Sequence, residues 1–186
     1  MKSSEATRER IMQAATVEFA AYGIAGARVD RIARNAAGNK NLIYMYFGSK
    51  EQLFTTVLAR HLTNVYDSIA FTPENLPDYA ARLFDFVVDH PELIRLLAWF
   101  GLEQRDEWPV EPRANLDTKL KGIAKAQRDG IVAKDFTPAF LLTTVIALCS
   151  AWTVSNPLNQ FIDPDALKHR ATLRKATAKA VERLTR

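Results

Sequence analysis

Apolar residues recur at helical spacing along almost the whole chain. Near the start, Ile11, Ala15, Phe19 and Tyr22 follow one face of a helix that Ser3 or Ser4 can cap and Gly23 closes. Val29, Ile32, Ala33 and Ala36 mark a second, short helix, and Ala37-Gly38-Asn39 then breaks the pattern with residues that tolerate a tight turn. Asn39 can cap a third helix through Asn41, Ile43, Tyr44 and Phe47, which Gly48-Ser49 stops. Ser49 with Gln52 has the form of a capping box for a fourth helix reaching about Asp67, with Leu53, Phe54, Val57, Leu58, Leu62 and Val65 on its apolar face.

A proline-rich break runs from Phe71 to Pro77. Beyond it, Pro77, Pro91, Pro138 and Pro164 each precede an apolar-periodic run, as proline does in a first helical turn. Helices follow at about 77–89, 91–104, 114–129, 138–155 and 164–185, and no strand-like alternation competes with them. The predicted fold is all-α: an N-terminal three-helix domain with a helix-turn-helix over residues 1–66, and a C-terminal helical bundle over 67–186. Phe19, Ile32, Ile43 and Phe47 are the candidate core of the smaller part. His61 lies among apolar positions of the fourth helix and reads as a packing histidine.

Charge sharpens this picture. The net charge is +4, and residues 1–66 hold nine Lys/Arg against five Asp/Glu, whereas residues 67–186 hold sixteen of each. The whole positive excess therefore sits with the helix-turn-helix, as an electrostatic footprint for phosphate would. Catalytic signals are missing. His61, His90 and His169 are scattered, no Gly-rich phosphate loop or GxSxG elbow occurs, and carboxylates are spread over helix surfaces. The composition argues against an enzyme and implies neither cofactor nor metal. Cys149 is the only cysteine and reads as a small core residue. The sixteen residues from Ala139 to Val154 fall short of the ~20 a membrane helix needs, and the chain start lacks a signal-peptide core, so a cytoplasmic location is expected.

Two short helices joined by a tight turn present the second one to the major groove of DNA. Its exposed face carries Lys40, Asn41, Tyr44, Met45 and Tyr46. Lys40, Asn41 and Tyr44 are the candidates for base edges; Arg28, Tyr46 and Lys50 are those for phosphate, with Arg8 and Arg10 further out. The run Ile32-Ala33, Ala36, Ile43-Tyr44, Tyr46-Phe47, Ser49-Lys50-Glu51 and Leu53-Phe54 resembles the DNA-binding domain of TetR-type transcriptional regulators, and Phe19 and Gly23 match that family's Phe-x-x-x-Gly. The departures are Ala37 where the family usually has glycine, Gly38 where it has a small apolar residue, Arg28 where Ser or Thr caps the helix, and Asn41 where glycine is common.

The last two helices carry apolar residues and alanines on outward faces, which fits either packing within one subunit or a four-helix interface between two. The resemblance favours the homodimer, since the family usually dimerises there. It also implies a small-molecule effector bound in the second domain. Phe84, Val88, Trp99, Phe100, Phe140 and Trp152 are the candidate lining, although aromatic stripes of this kind also build cores. The expected function is a DNA-binding regulator, a repressor at a near-palindromic double-stranded operator, released by a mainly apolar effector. The alternative is a helical small-molecule-binding protein whose basic head docks on another protein.

Overall fold

A computed structural model describes residues 2–103 and 110–186. Trp108 lies outside the described residues. The first helix, α1 (Lys2–Gly26), starts without a serine cap: Ser4 Oγ instead bonds the Tyr46 hydroxyl at 3.0 Å. It kinks at Gly23, where φ is 67° and ψ is −174°. Three short elements complete the head: α2 (Val29–Asn35), α3 (Lys40–Phe47) and the longer α4 (Lys50–Ser68). The two anticipated caps form. Asn39 Oδ1 accepts from Leu42 N at 3.1 Å, and Ser49 Oγ accepts from Gln52 N at 3.0 Å. Phe19, Ile32, Ile43 and Phe47 are all buried, and Phe19 meets Phe54 edge to face at 5.3 Å.

After a 3-10 turn at Pro73–Asn75 come α5 (Leu76–Asp89), α6 (Pro91–Leu102), α7 (Val110–Arg128), α8 (Pro138–Ser150), the one-turn α9 (Asn159–Ile162) and α10 (Arg170–Thr185). Helix α5 is central. It packs on α6, α8 and α10, with Tyr79, Ala80, Leu83 and Phe84 buried. Arg170 ties α10 to it through Asp89 at 2.6 and 2.8 Å and Asp85 at 3.1 Å, and Arg174 adds a bond to Asp85 at 2.6 Å. Cys149 Sγ donates to Ala80 O at 3.3 Å between α8 and α5, and burial pushes its thiol up to about 12, which leaves it inert as a nucleophile.

Two predicted helices are shorter than their apolar pattern. The element expected over 138–155 stops at Ser150, because Thr153 and Ser155 hydroxyls take the Ser150 carbonyl and Asn159 Nδ2 takes those of Ala151 and Thr153. The element expected from 164 begins regular α geometry only at Arg170, after a 3-10 turn at Ala166–His169. Asp163, the expected cap, accepts from Asp165 N at 3.2 Å and makes a local turn. Helices α1 and α4 both pack on α6, so the apolar cluster runs unbroken across residue 67 and joins head to bundle.

Candidate nucleic-acid interface and cavity

Helix α3 is anchored by Ile43 and Phe47, both buried, and turns Lys40, Asn41, Tyr44 and Met45 to solvent. Those four positions share one face of a helix (i, i+1, i+4, i+5). Tyr44 is 46% and Met45 67% exposed, a large apolar surface to leave wet on so small a head. Lys40 Nζ lies 3.8 Å from Asp30, an exposed pair of little worth that leaves its charge available. The other candidates divide. The Arg28 side chain is exposed, but Tyr46 is half-buried on Ser4 and Lys50 Nζ donates to Ala27 O at 3.3 Å, so these two bind the head together. Arg8 lies over the Phe47 ring at 5.4 Å, and Arg10 bonds Thr7. Arg28 and Arg34 are exposed and form no ion pair among the described residues.

What ties α2 to α1 is Glu18, a carboxylate of α1 only 3% exposed. Its Oε1 accepts from the Arg28 backbone N–H at 2.8 Å; Arg31 Nε reaches both oxygens at 2.8 Å and Nη2 reaches Oε1 at 2.5 Å. Arg28, the residue at the helix entrance, makes no side-chain cap. Glu18 does not stand in for the missing serine or threonine, which would accept from a first-turn N–H; it takes the N–H of Arg28 itself and fastens the start of α2 to α1. Burial alone would push the Glu18 carboxyl up; the bonds from Arg31 and from the Arg28 N–H outweigh it and hold the carboxyl below its usual value.

The other end of α1 is gripped by α6. Arg95 Nε and Trp99 Nε1 donate to Ala20 O at 2.6 and 3.3 Å, and Glu103 Oε1 accepts from Ile24 N and Ala25 N at 2.8 and 3.1 Å. A different face of α6, with Leu93, Ile94 and Leu97, lines a cavity of about 430 Å³ walled also by α4, α5, α7 and α8. Leu62, Val65, Tyr66, Tyr79, Leu83 and Lys119 are among its other walls. The six candidate lining residues lie elsewhere. Phe84 is wholly buried in the core, Trp99 packs on α1, and Phe100 packs at the edge of the core. Phe140 is 49% exposed and stacks on Phe136. Val88 and Trp152 line a separate, more open cleft of about 360 Å³. Their apolar character was visible in the sequence; which neighbour each would meet was not.

Comparison with known proteins decides what this arrangement is. Residues 11–57 match the family profile described as bacterial regulatory proteins, tetR family, and residues 75–183 match the tetracyclin repressor-like C-terminal domain. The chain is 35% identical to the HTH-type transcriptional repressor SCO4008 of Streptomyces coelicolor over 98% of both chains. It is 30% identical to the transcriptional activator FasR of Mycolicibacterium smegmatis over 61% of this chain and 52% of that one. The crystal structure of SCO4942 from Streptomyces coelicolor superposes with a TM-score of 0.82 at 34% identity, covering 96% of this chain and 98% of that one. This chain belongs to the TetR family. It is a DNA-binding transcriptional regulator with a helix-turn-helix head and a helical C-terminal domain.

Against the usual TetR-family pattern the turn is unusual. Gly38 was the residue expected to supply its freedom, yet it is Ala37 that has φ of 50°. Ala37 N bonds Arg34 O at 3.1 Å and Gly38 N bonds Ala33 O at 2.9 Å, the paired bonds of a Schellman helix end with Ala37 in the left-handed position. An alanine there carries strain that glycine would not. Ala37→Gly is therefore expected to stabilise the protein by about 1 kcal/mol in chemical denaturation, whereas an equal loss would show that the left-handed residue is unstrained.

Proposed function

We propose that this protein is a transcriptional repressor that holds a near-palindromic operator as a homodimer and releases it when a small, mainly apolar effector fills the cavity. The observation that carries the reading is the α3 face. Lys40, Asn41 and Tyr44 stand free of the core to meet base edges, and Met45 beside them suits a thymine methyl. Arg28 and Arg34, exposed and without an ion pair among the described residues, supply cations for phosphate. Repression is preferred over activation because the relative matched from end to end is a repressor, whereas the activator matches over a shorter span.

Helices α8 and α10 form the dimer contact in this reading. The outward face of α8 presents Ala139, Phe140, Thr143, Ile146 and Ala147, all exposed and none charged, and a second copy would cover it. A two-fold dimer would set its reading helices roughly 34–36 Å apart or a multiple of that. Release runs through α6, which touches the cavity on one face and the kink of α1 on another. An effector that binds one α6 position more tightly than the other shifts the head spacing; one that binds both equally shifts nothing.

Tyr44→Ala and Lys40→Ala are each expected to weaken operator binding about tenfold with dimerisation unchanged. Lys40→Ala should also lower the salt slope if it meets phosphate, by about one. The operator itself comes from selecting bound fragments of random duplex DNA. Wild-type affinity in both variants would remove α3 as the reading helix. A head that docks on protein instead would show no two-fold consensus and no steep loss of DNA affinity with salt.

A further inference from the structure

Resting on the effector reading of the cavity, we propose that its ligand is an amphipathic monoanion, a carboxylate on an apolar body, whose negative head pairs with the Lys119 ammonium. Lys119 is a cation in an otherwise apolar chamber. It is only 7% exposed, and Nζ donates to the Tyr79 hydroxyl at 2.7 Å. The rings of Tyr66, Tyr79 and Phe71 lie 4.9, 5.0 and 5.5 Å from the nitrogen. Ring faces and one hydroxyl reduce the penalty of burying the charge but supply no negative charge of their own. No carboxylate among the described residues pairs with Lys119, and burial alone accounts for its shift, which lowers it to about 8. At pH 7 the ammonium form still leads by about ten to one.

A buried cation with no carboxylate partner among the described residues is costly in the empty protein, and the cost falls when a ligand brings the opposite charge. Chain length and charge of the ligand follow from the walls. Leu62, Val65, Leu83, Leu93 and Leu97 offer only hydrocarbon, so a small inorganic anion would leave most of about 430 Å³ unfilled. A neutral hydrocarbon would leave the cation as it was. A dianion would bury a second negative charge with no partner. Ser150 and Ser155, which also line the cavity, already donate to backbone carbonyls and do not compete for the head group. Because Leu93, Ile94 and Leu97 belong to α6, a tail seated on them bears on the helix that grips α1.

The test uses the full-length protein with three matched probes: decanoate, decanol and decylammonium. Binding is read by calorimetry and release by displacement of a fluorescent operator duplex. Decanoate should bind at least tenfold more tightly than decanol and release the operator at lower concentration than either other probe. In Lys119→Met, which keeps the side-chain length without the charge, the decanoate-to-decanol preference should collapse to near one while operator affinity stays at the wild-type level. Should decanol or decylammonium bind and release the operator as well as decanoate, the cavity is the effector site and the anion inference is overturned. If none of the three binds, the inference and the effector reading of this cavity fall together. Lys119→Met that retains the tenfold preference overturns the assignment to Lys119, and the wild-type comparison stands even if that variant does not fold.

Discussion

Replacing Glu18 with alanine is expected to lower stability by about 2–3 kcal/mol and to abolish tight operator binding, although Glu18 touches no DNA in any proposed complex. For a chain of this size such a loss is roughly 5–10 °C in Tm, readable by calorimetry. The reason is geometric. One carboxylate accepts the Arg28 N–H at the start of α2 and the Nε/Nη2 edge of Arg31, and no water can replace it at 3% exposure. Without it the Arg28 N–H and the Arg31 guanidinium lose their common acceptor, and α2, on which α3 packs, comes loose from α1. Glu18→Gln keeps the shape and one acceptor oxygen and should fall between the two. The sign of the pH dependence follows from the lowered carboxyl: its contribution is complete above the unfolded value near 4.5 and is lost as pH falls through the lower folded one. Wild-type protein should therefore lose stability on acidification in a component that Glu18→Gln lacks. An alanine variant with native Tm and native operator affinity would refute the buttress.

Gly23→Ala is the second large effect, at about 3 kcal/mol. Two costs coincide. The backbone there, at φ 67° and ψ −174°, lies in a region essentially reserved for glycine. A Cβ would also stand 2.6 Å from Glu103 Oε1 and 2.7 and 2.8 Å from the Trp99 ring. The Glu103 carboxylate end could swing away, but only by releasing Ile24 N and Ala25 N, and the indole is held by its bond to Ala20 O. Relief therefore means separating α6 from α1. The expected result is a Tm drop of roughly 6–12 °C together with operator binding that no longer responds to effector. A variant of unchanged Tm whose operator release still tracks effector would show that the α6 grip on the kink carries no coupling.

Much of the architecture could be read from residue spacing alone. The helix-turn-helix and the Asn39 and Ser49 caps depend on neighbours within a turn or two of chain, whereas Gly23, read as the end of the first helix, only kinks it and α1 runs on to Gly26. Such features are written locally because an apolar stripe or a capping oxygen acts within its own helix. The apolar pattern overran where hydroxyl groups, rather than hydrophobicity, ended α8 and delayed α10.

Only the tertiary structure decided the long-range partners. Arg28 gave no hint that Glu18, ten residues earlier, would accept its N–H. Nothing in the spacing of Arg95, Trp99 and Glu103 announced a grip on the end of α1. The aromatic residues picked out by their hydrophobicity went to the core, to α1, to an outward face and, with Trp152, to a separate cleft, while Lys119 of α7 went inside. Hydrophobicity determines that a residue leaves water; which residue it then meets is fixed by how helices cross, and that is settled by packing of the whole chain.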